Sequence, residues 1–149
     1  MPRTASRKKR SPETAMIYVT ELDHQRLSEL IERTRQRSGV DKEYVNRLEA
    51  ELDRAKIVDS RKVAADVITM RSKVRLKDLI SGETNVYSLV FPCEADFSEG
   101  KISVLAPIGT AILGYSRGDT IEWPVPSGVR RLKVDEILYQ PEADQDFKL

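Results

Sequence analysis

The chain has 149 residues, 33% of them charged and 40% apolar, with a formal net charge of +1, which suits one solvated domain, or a small domain with an appendage, around a modest core. No apolar run approaches bilayer-spanning length, and the basic start Arg3, Arg7, Lys8, Lys9, Arg10 meets Ser11, Pro12, Glu13 and Thr14 rather than an apolar signal core, so neither a membrane protein nor an exported one is expected. One cysteine, Cys93, and one histidine, His24, exclude an intramolecular disulfide and the usual zinc sets, so a reducing, cytoplasmic setting without metal or other cofactor is expected.

Residues 1–15 are basic, contain Pro2 and Pro12 and lack apolar periodicity; they read as a disordered basic tail suited to a weak, salt-sensitive contact with nucleic acid. Thr20-Glu21-Leu22-Asp23 is a capping-box-like start, and Leu22, Leu27, Leu30, Ile31 and Thr34 follow at helical spacing, predicting a first helix over about 20–37. Ser38-Gly39-Val40 breaks it, Asp41 caps a second helix, and Tyr44, Val45, Leu48, Leu52 and Ala55 line that helix's inner face. Residues 16–58 therefore read as a short antiparallel helical hairpin, a coiled coil with arms of about 24–27 Å. Its tip carries the acids Asp41 and Glu43 beside Arg37, and with Arg33, Arg35 and Lys42 the tip is net positive. His24 falls on the polar side of the first helix and receives no role.

After a connector over 59–65, Val67, Thr69 and Arg71 alternate with Ile68 and Met70 into Val74 and Leu76, predicting a first strand. Ser81-Gly82-Glu83 is a hairpin turn, residues 84–91 a second strand, and Pro92 to Gly100 a polar loop with Asp96, Ser98 and Glu99, in which Cys93 reads as a buried apolar filler. Ile102-Ser103-Val104-Leu105-Ala106-Pro107 then runs as a strand into a short helix. Pro107 presets its first turn, Ile108, Ala111 and Ile112 form its apolar face, and Gly114 stops it at positive φ. A strand with Trp123 as a core residue, a Pro126-Ser127-Gly128 turn and a last strand from Val129 through Leu132, Val134, Ile137 and Tyr139 complete a sheet domain over 59–140. Residues 141–149 read as an acidic surface tail.

The ordered series from Ile102 to Val129 resembles the C-terminal domain of the Gre-type transcription factors. Within that superfamily, Glu51-Leu52-Asp53-Arg54-Ala55 and Tyr139-Gln140-Pro141-Glu142-Ala143 resemble the nucleoside diphosphate kinase regulator branch, and the likeness covers roughly Ile17 to Asp146. It implies an α+β fold, in which the hairpin precedes an FKBP-like twisted antiparallel sheet with one short helix. It also implies core RNA polymerase as partner, docked at its secondary channel through Ser103, Leu105 and Pro107. The family often has Asp or Asn where Leu105 stands, so a polar contact is exchanged for an apolar one.

In the cleavage factors of this superfamily a long hairpin carries tip carboxylates that help hold a catalytic magnesium. Here the arms are shorter and the tip is positive, so Asp41 reads as a helix cap and Glu43 as a favourable first-turn charge. The expectation is a monomeric regulator, not an enzyme, that competes with Gre-type factors without stimulating transcript cleavage. Two alternatives stand beside it: a cleavage factor acting through Asp41 and Glu43, and an FKBP-like prolyl isomerase. For the second, no cluster among Tyr87, Phe91, Phe97, Tyr115, Trp123 and Tyr139 reproduces the isomerases' apolar cup, and fold analogy alone carries no activity.

Overall fold

The computed structural model describes residues 16–37, 42–125 and 128–144, and of residues 123–125 the backbone alone. β1 (Tyr18–Thr20) leads into α1 (Glu21–Arg35), which α2 (Lys42–Arg54) and β2 (Lys56–Val58) follow. Thr20 caps α1 in extended conformation (φ −70°, ψ 155°), its hydroxyl accepting the Asp23 N–H at 3.1 Å, which satisfies one otherwise orphaned helix donor. The helices meet through Leu27 and Ile31 on α1 and Val45, Leu48 and Leu52 on α2, all buried. Outside that seam, the Arg35 guanidinium bonds Glu49 at 2.6 and 3.0 Å and Asn46 at 2.7 Å.

The helical hairpin is thus present, with three differences from the sequence expectation. α1 stops at Arg35 rather than 37, making arms of roughly 22 and 20 Å. Its buried stripe is Asp23, Leu27, Ile31, Thr34, whereas Leu22 is half-buried and Tyr44 on α2 is exposed. Finally, β1 and β2 pair in parallel, Tyr18 opposite Lys56 and Thr20 opposite Val58. The two helices together form the crossover that a parallel pair requires. Residues 38–41, with the break and the Asp41 cap, lie outside the described residues.

The remaining strands form one sheet in the order β5-β4-β3-β7-β6, comprising β3 (Lys73–Asp78), β4 (Thr84–Val90), β5 (Lys101–Ser103), β6 (Thr120–Val125) and β7 (Gly128–Tyr139). Three pairings are antiparallel, but β5 runs parallel to β4, so the sheet is mixed rather than purely antiparallel. The stretch read as a polar loop contains 3₁₀ turns at Pro92–Glu94 and Phe97–Glu99, which carry the chain back so that β5 begins opposite Ser88 and runs beside the last three residues of β4.

The expected strand from Val67 is shorter than its alternation suggests. Thr69 to Ser72 form a turn in which the Ser72 N–H donates to the Thr69 carbonyl (3.0 Å) and the Thr69 N–H to the Ser72 hydroxyl (2.9 Å). Arg71 takes φ +66° there, so β3 starts only at Lys73. Along β7 the inward set passes from Leu132 and Val134 to Ile137, because a register shift opposite Arg75/Leu76 inserts an extra residue, and a second shift opposite Lys73/Val74 follows Ile137. Trp123 lies on β6, but its side chain is outside the described residues, as are Pro126 and Ser127.

Hairpin and sheet share one core, in which Ile17, Val19, Leu27 and Leu48 join Ile68, Met70, Leu89, Leu113 and Tyr115. Gly114 marks the junction. It has φ +84°, its N–H donates to Ile68 and its carbonyl accepts from Tyr18, and a Cβ there would sit 2.8 Å from the Ile17 Cβ. Only glycine meets both demands. A second tie is buried: the Asp23 carboxylate accepts the Met70 N–H at 3.0 Å and Arg26 at 2.7 Å. The chain after β7 closes over the same region, Gln140 bonding the Ala64 and Val67 carbonyls at 2.8 Å each and Glu142 accepting the Thr69 hydroxyl at 2.7 Å. With Pro141 buried and Glu142 half-buried, the first residues of the expected surface tail belong to the folded body.

Candidate functional site

Ser103, Leu105 and Pro107 lie together where edge strand β5 turns into α3 (Pro107–Ile112). The turn is built by local chemistry. The Ser103 hydroxyl accepts the Leu105 N–H at 3.0 Å and its carbonyl accepts the Ala106 N–H at 3.0 Å, a short-range alternative to continuing the strand. Ala106 is the N-cap at φ −69°, ψ 150°, and Pro107 occupies the first turn of the helix, where a missing N–H costs nothing and a fixed φ suits the helix. Thr110 ties α3 back to the turn by donating its hydroxyl to the Val104 carbonyl at 2.6 Å.

Gly109 sets how closely the helix lies on the strand. A Cβ there would fall 2.1 Å from the Ser103 carbonyl oxygen and 3.1 Å from the Val104 Cα, so α3 packs backbone to backbone against this edge. Pro107 is exposed, Ser103 half-buried, and Leu105 half-buried with part of its side chain on the core. The three residues form a continuous rim with a rigid backing, able to present an apolar contact at Leu105 and Pro107 beside a hydroxyl already committed within the turn.

The residues expected at the hairpin tip are not brought together by the described structure. Asp41 lies outside it; Glu43 is exposed in the first turn of α2, 4.0 Å from Arg47; Arg37 is exposed just beyond α1. Among the described residues no group of three His, Cys, Asp or Glu side chains could hold a metal ion. Cys93 is exposed, which corrects its reading as a buried filler. Val90 fills the core as β4 ends, and Pro92 then turns the chain outward.

Several ionisable residues carry more of the structure than their sequence positions suggest. Burial pushes the Asp23 carboxyl upward, against the opposing hydrogen bonds of Met70 and Arg26. Glu142 is likewise raised, first by burial, with the nearby Asp23 adding to the effect. Glu94 is lowered, chiefly by its bonds to the Arg71 guanidinium at 2.7 and 3.1 Å. Arg54 reaches the Tyr115 hydroxyl at 3.2 Å, and burial raises that phenol. One signal was available for Asp23: it occupies the phase of Leu27 and Ile31, where a carboxylate is out of place unless paired.

Two family models match this chain: "Transcription elongation factor, GreA/GreB, C-term" over residues 63–139 and "Rnk N-terminus" over residues 16–58. The chain is 40% identical over 134 residues to the "Regulator of nucleoside diphosphate kinase" of Escherichia coli (strain K12), spanning 89% of this chain and 96% of that protein. The chain belongs to the Gre superfamily, in its nucleoside diphosphate kinase regulator branch. The match to some elongation factors covers only part of either chain. This chain is 40% identical over 90 residues to "Transcription elongation factor GreA" of Acetivibrio thermocellus, 60% of this chain and 57% of that one. In solved structures the fold matches "Prokaryotic transcription elongation factor GreA/GreB from Nitrosomonas europaea" with a TM-score of 0.68 and 40% identity, covering 85% of this chain and 100% of that one.

Proposed function

We propose that this protein is a non-enzymatic, cytoplasmic regulator of transcription. It binds core RNA polymerase at the secondary channel as a monomer, through the rim formed by Ser103, Leu105 and Pro107. The observation that carries this reading is the backing of that rim. Gly109 lets α3 lie directly on the β5 turn, so the strand-to-helix edge that contacts polymerase in Gre-type factors has a fixed shape here, with Pro107 exposed. In this reading the protein occupies the channel entrance and displaces Gre-type cleavage factors, and its effect on gene expression follows from that competition.

Stimulation of transcript cleavage gains no support from the hairpin. Arms of 15 and 13 residues reach only roughly 20–22 Å, and Glu43 already faces Arg47. The test is a titration of the full chain onto core RNA polymerase, followed by addition to backtracked complexes with and without a GreA-type factor. The expected result is binding, no cleavage by this protein alone, and reduced cleavage by the competitor. The double variant Leu105→Lys, Pro107→Ala should weaken binding about tenfold or more while circular dichroism reports an intact fold. Cleavage that rises on addition, and falls again with Asp41→Ala and Glu43→Ala, would refute the reading.

A further inference from the structure

Beside the docking rim lies a second surface feature that the rim does not need. A groove of about 600 Å³ runs between α1 and the turn after β4. Leu30, Phe91 and Pro92 supply its apolar wall, while Arg26, Arg33, Arg37 and Arg71 line it against one carboxylate, Glu29. Arg26 and Arg33 are seven residues apart on α1, which places them along one side of the helix, and Arg37 lies just beyond its last turn.

These guanidiniums fall into two groups. Arg26 and Arg71 are engaged, with Asp23 and Glu94 respectively, and both lie over the Phe91 ring at 5.2 Å from its centroid. Arg33 and Arg37 are exposed and have no carboxylate partner among the described residues. The groove therefore has a fixed, internally neutralised wall and an open cationic rim.

From this charge pattern we infer that the groove seats an acidic segment of RNA polymerase that also carries apolar side chains. Carboxylates of the segment pair with Arg33 and Arg37, and an apolar side chain packs on Leu30 and Pro92. The inference rests on the polymerase-binding reading and extends it to a second contact. Adjacency supports the same partner: Val90, which precedes the groove residues Phe91 and Pro92, pairs with Ser103 and its carbonyl accepts the Val104 N–H at 2.9 Å, so the strand that leads into the groove wall lies directly beside the docking rim. A single-stranded nucleic acid fits less well, because such sites offer open aromatic faces for base stacking, and the Phe91 ring is already covered by guanidiniums and packed on the core.

The test uses the full chain, core RNA polymerase and two double variants, Arg33→Glu with Arg37→Glu and Arg33→Lys with Arg37→Lys. Cys93 is exposed and lines the groove, so its labelling by a maleimide, read by mass spectrometry on the Cys93 peptide, reports occupancy. The expected result is about tenfold or greater weakening by the glutamate pair at low salt, near-complete retention by the lysine pair, and slower Cys93 labelling in the wild-type complex. If the glutamate pair binds like wild type and Cys93 labels equally in free and bound protein, the groove inference is overturned. Weakening by Leu105→Lys with Pro107→Ala in the same assay would then leave the rim reading standing. Failure of the wild-type chain to bind polymerase overturns both. Protection of Cys93 by a single-stranded oligoribonucleotide, with polymerase binding unchanged in the glutamate pair, assigns the groove to nucleic acid and also overturns the inference.

Discussion

Replacing Gly109 by alanine sets two well-characterised effects against each other. Alanine is better than glycine inside a helix by at most about 1 kcal/mol, and Gly109 is the third residue of α3. Packing opposes it. The new methyl would lie 2.1 Å from the Ser103 carbonyl oxygen, 2.9 Å from its carbonyl carbon and 3.1 Å from the Val104 Cα, all backbone atoms with no rotamer through which to move aside. Relief requires α3 to lift by roughly 1 Å, loosening Ile112 from the core and straining the Thr110 bond to Val104. Overpacking of this kind costs about 1–3 kcal/mol, and with contacts on several backbone atoms the upper part of that range applies. The net expectation is destabilisation by about 2 kcal/mol, lowering the melting temperature by about 4–8 °C for a chain of this size. Thermal unfolding by circular dichroism measures this, and polymerase titration well below the transition measures the displaced rim, where affinity should also fall. An unchanged or raised melting temperature would show that helix propensity wins and that the close approach of α3 to β5 is not as described.

Two further outcomes follow from the charges. For Asp23, whose carboxyl is raised by burial ahead of the opposing hydrogen bonds from Met70 and Arg26, the folded chain takes up the proton before the unfolded chain does. Its contribution is therefore fully present below the ordinary aspartate range and is lost as pH rises through the elevated folded value. The stability of wild type relative to Asp23→Asn should increase as pH falls from 7 towards about 4, and a pH-independent difference in denaturant midpoints would contradict this. Deleting residues 1–13, which remove five cationic side chains, should weaken polymerase binding mainly at low salt and leave competition at moderate salt nearly unchanged; equal salt slopes for the two lengths would show that the tail makes no contact.

The hairpin and the strand-to-helix edge were legible because their signals are local. Thr20 lies three residues before Asp23, Leu27 and Ile31 repeat at helical spacing, and Pro107 and Gly114 bracket α3, the latter at φ +84°. What escaped the sequence depends on partners distant along the chain. Asp23 is buried because it meets the Met70 N–H across 47 positions, and Gln140 because it meets the Ala64 carbonyl across 76. Parallel pairing of β5 with β4 likewise depends on where two 3₁₀ turns return the chain, which alternation in a three-residue strand cannot encode. At Arg71, alternation continued through a position that a local hydroxyl network had turned to φ +66°.

The way the hairpin joins the sheet determines how docking at the rim would place it. A flexible joint would let the hairpin search the channel independently of the docked sheet. Here the attachment is made by the backbone bond from the Tyr18 N–H to the Gly114 carbonyl, by the Asp23 carboxylate on Met70, by Arg54 on Tyr115, and by a glycine into which Ile17 fits closely. These contacts draw on one continuous core rather than two, so a shift of the hairpin has to break buried packing rather than rotate about a linker. The tip's reach is then the length of the arms added to a fixed origin. Charge reversal at Arg33 and Arg37 and displacement of α3 by Gly109→Ala would act on two faces of the same rigid body, and their effects on polymerase affinity should be non-additive if the groove and the rim engage the partner together.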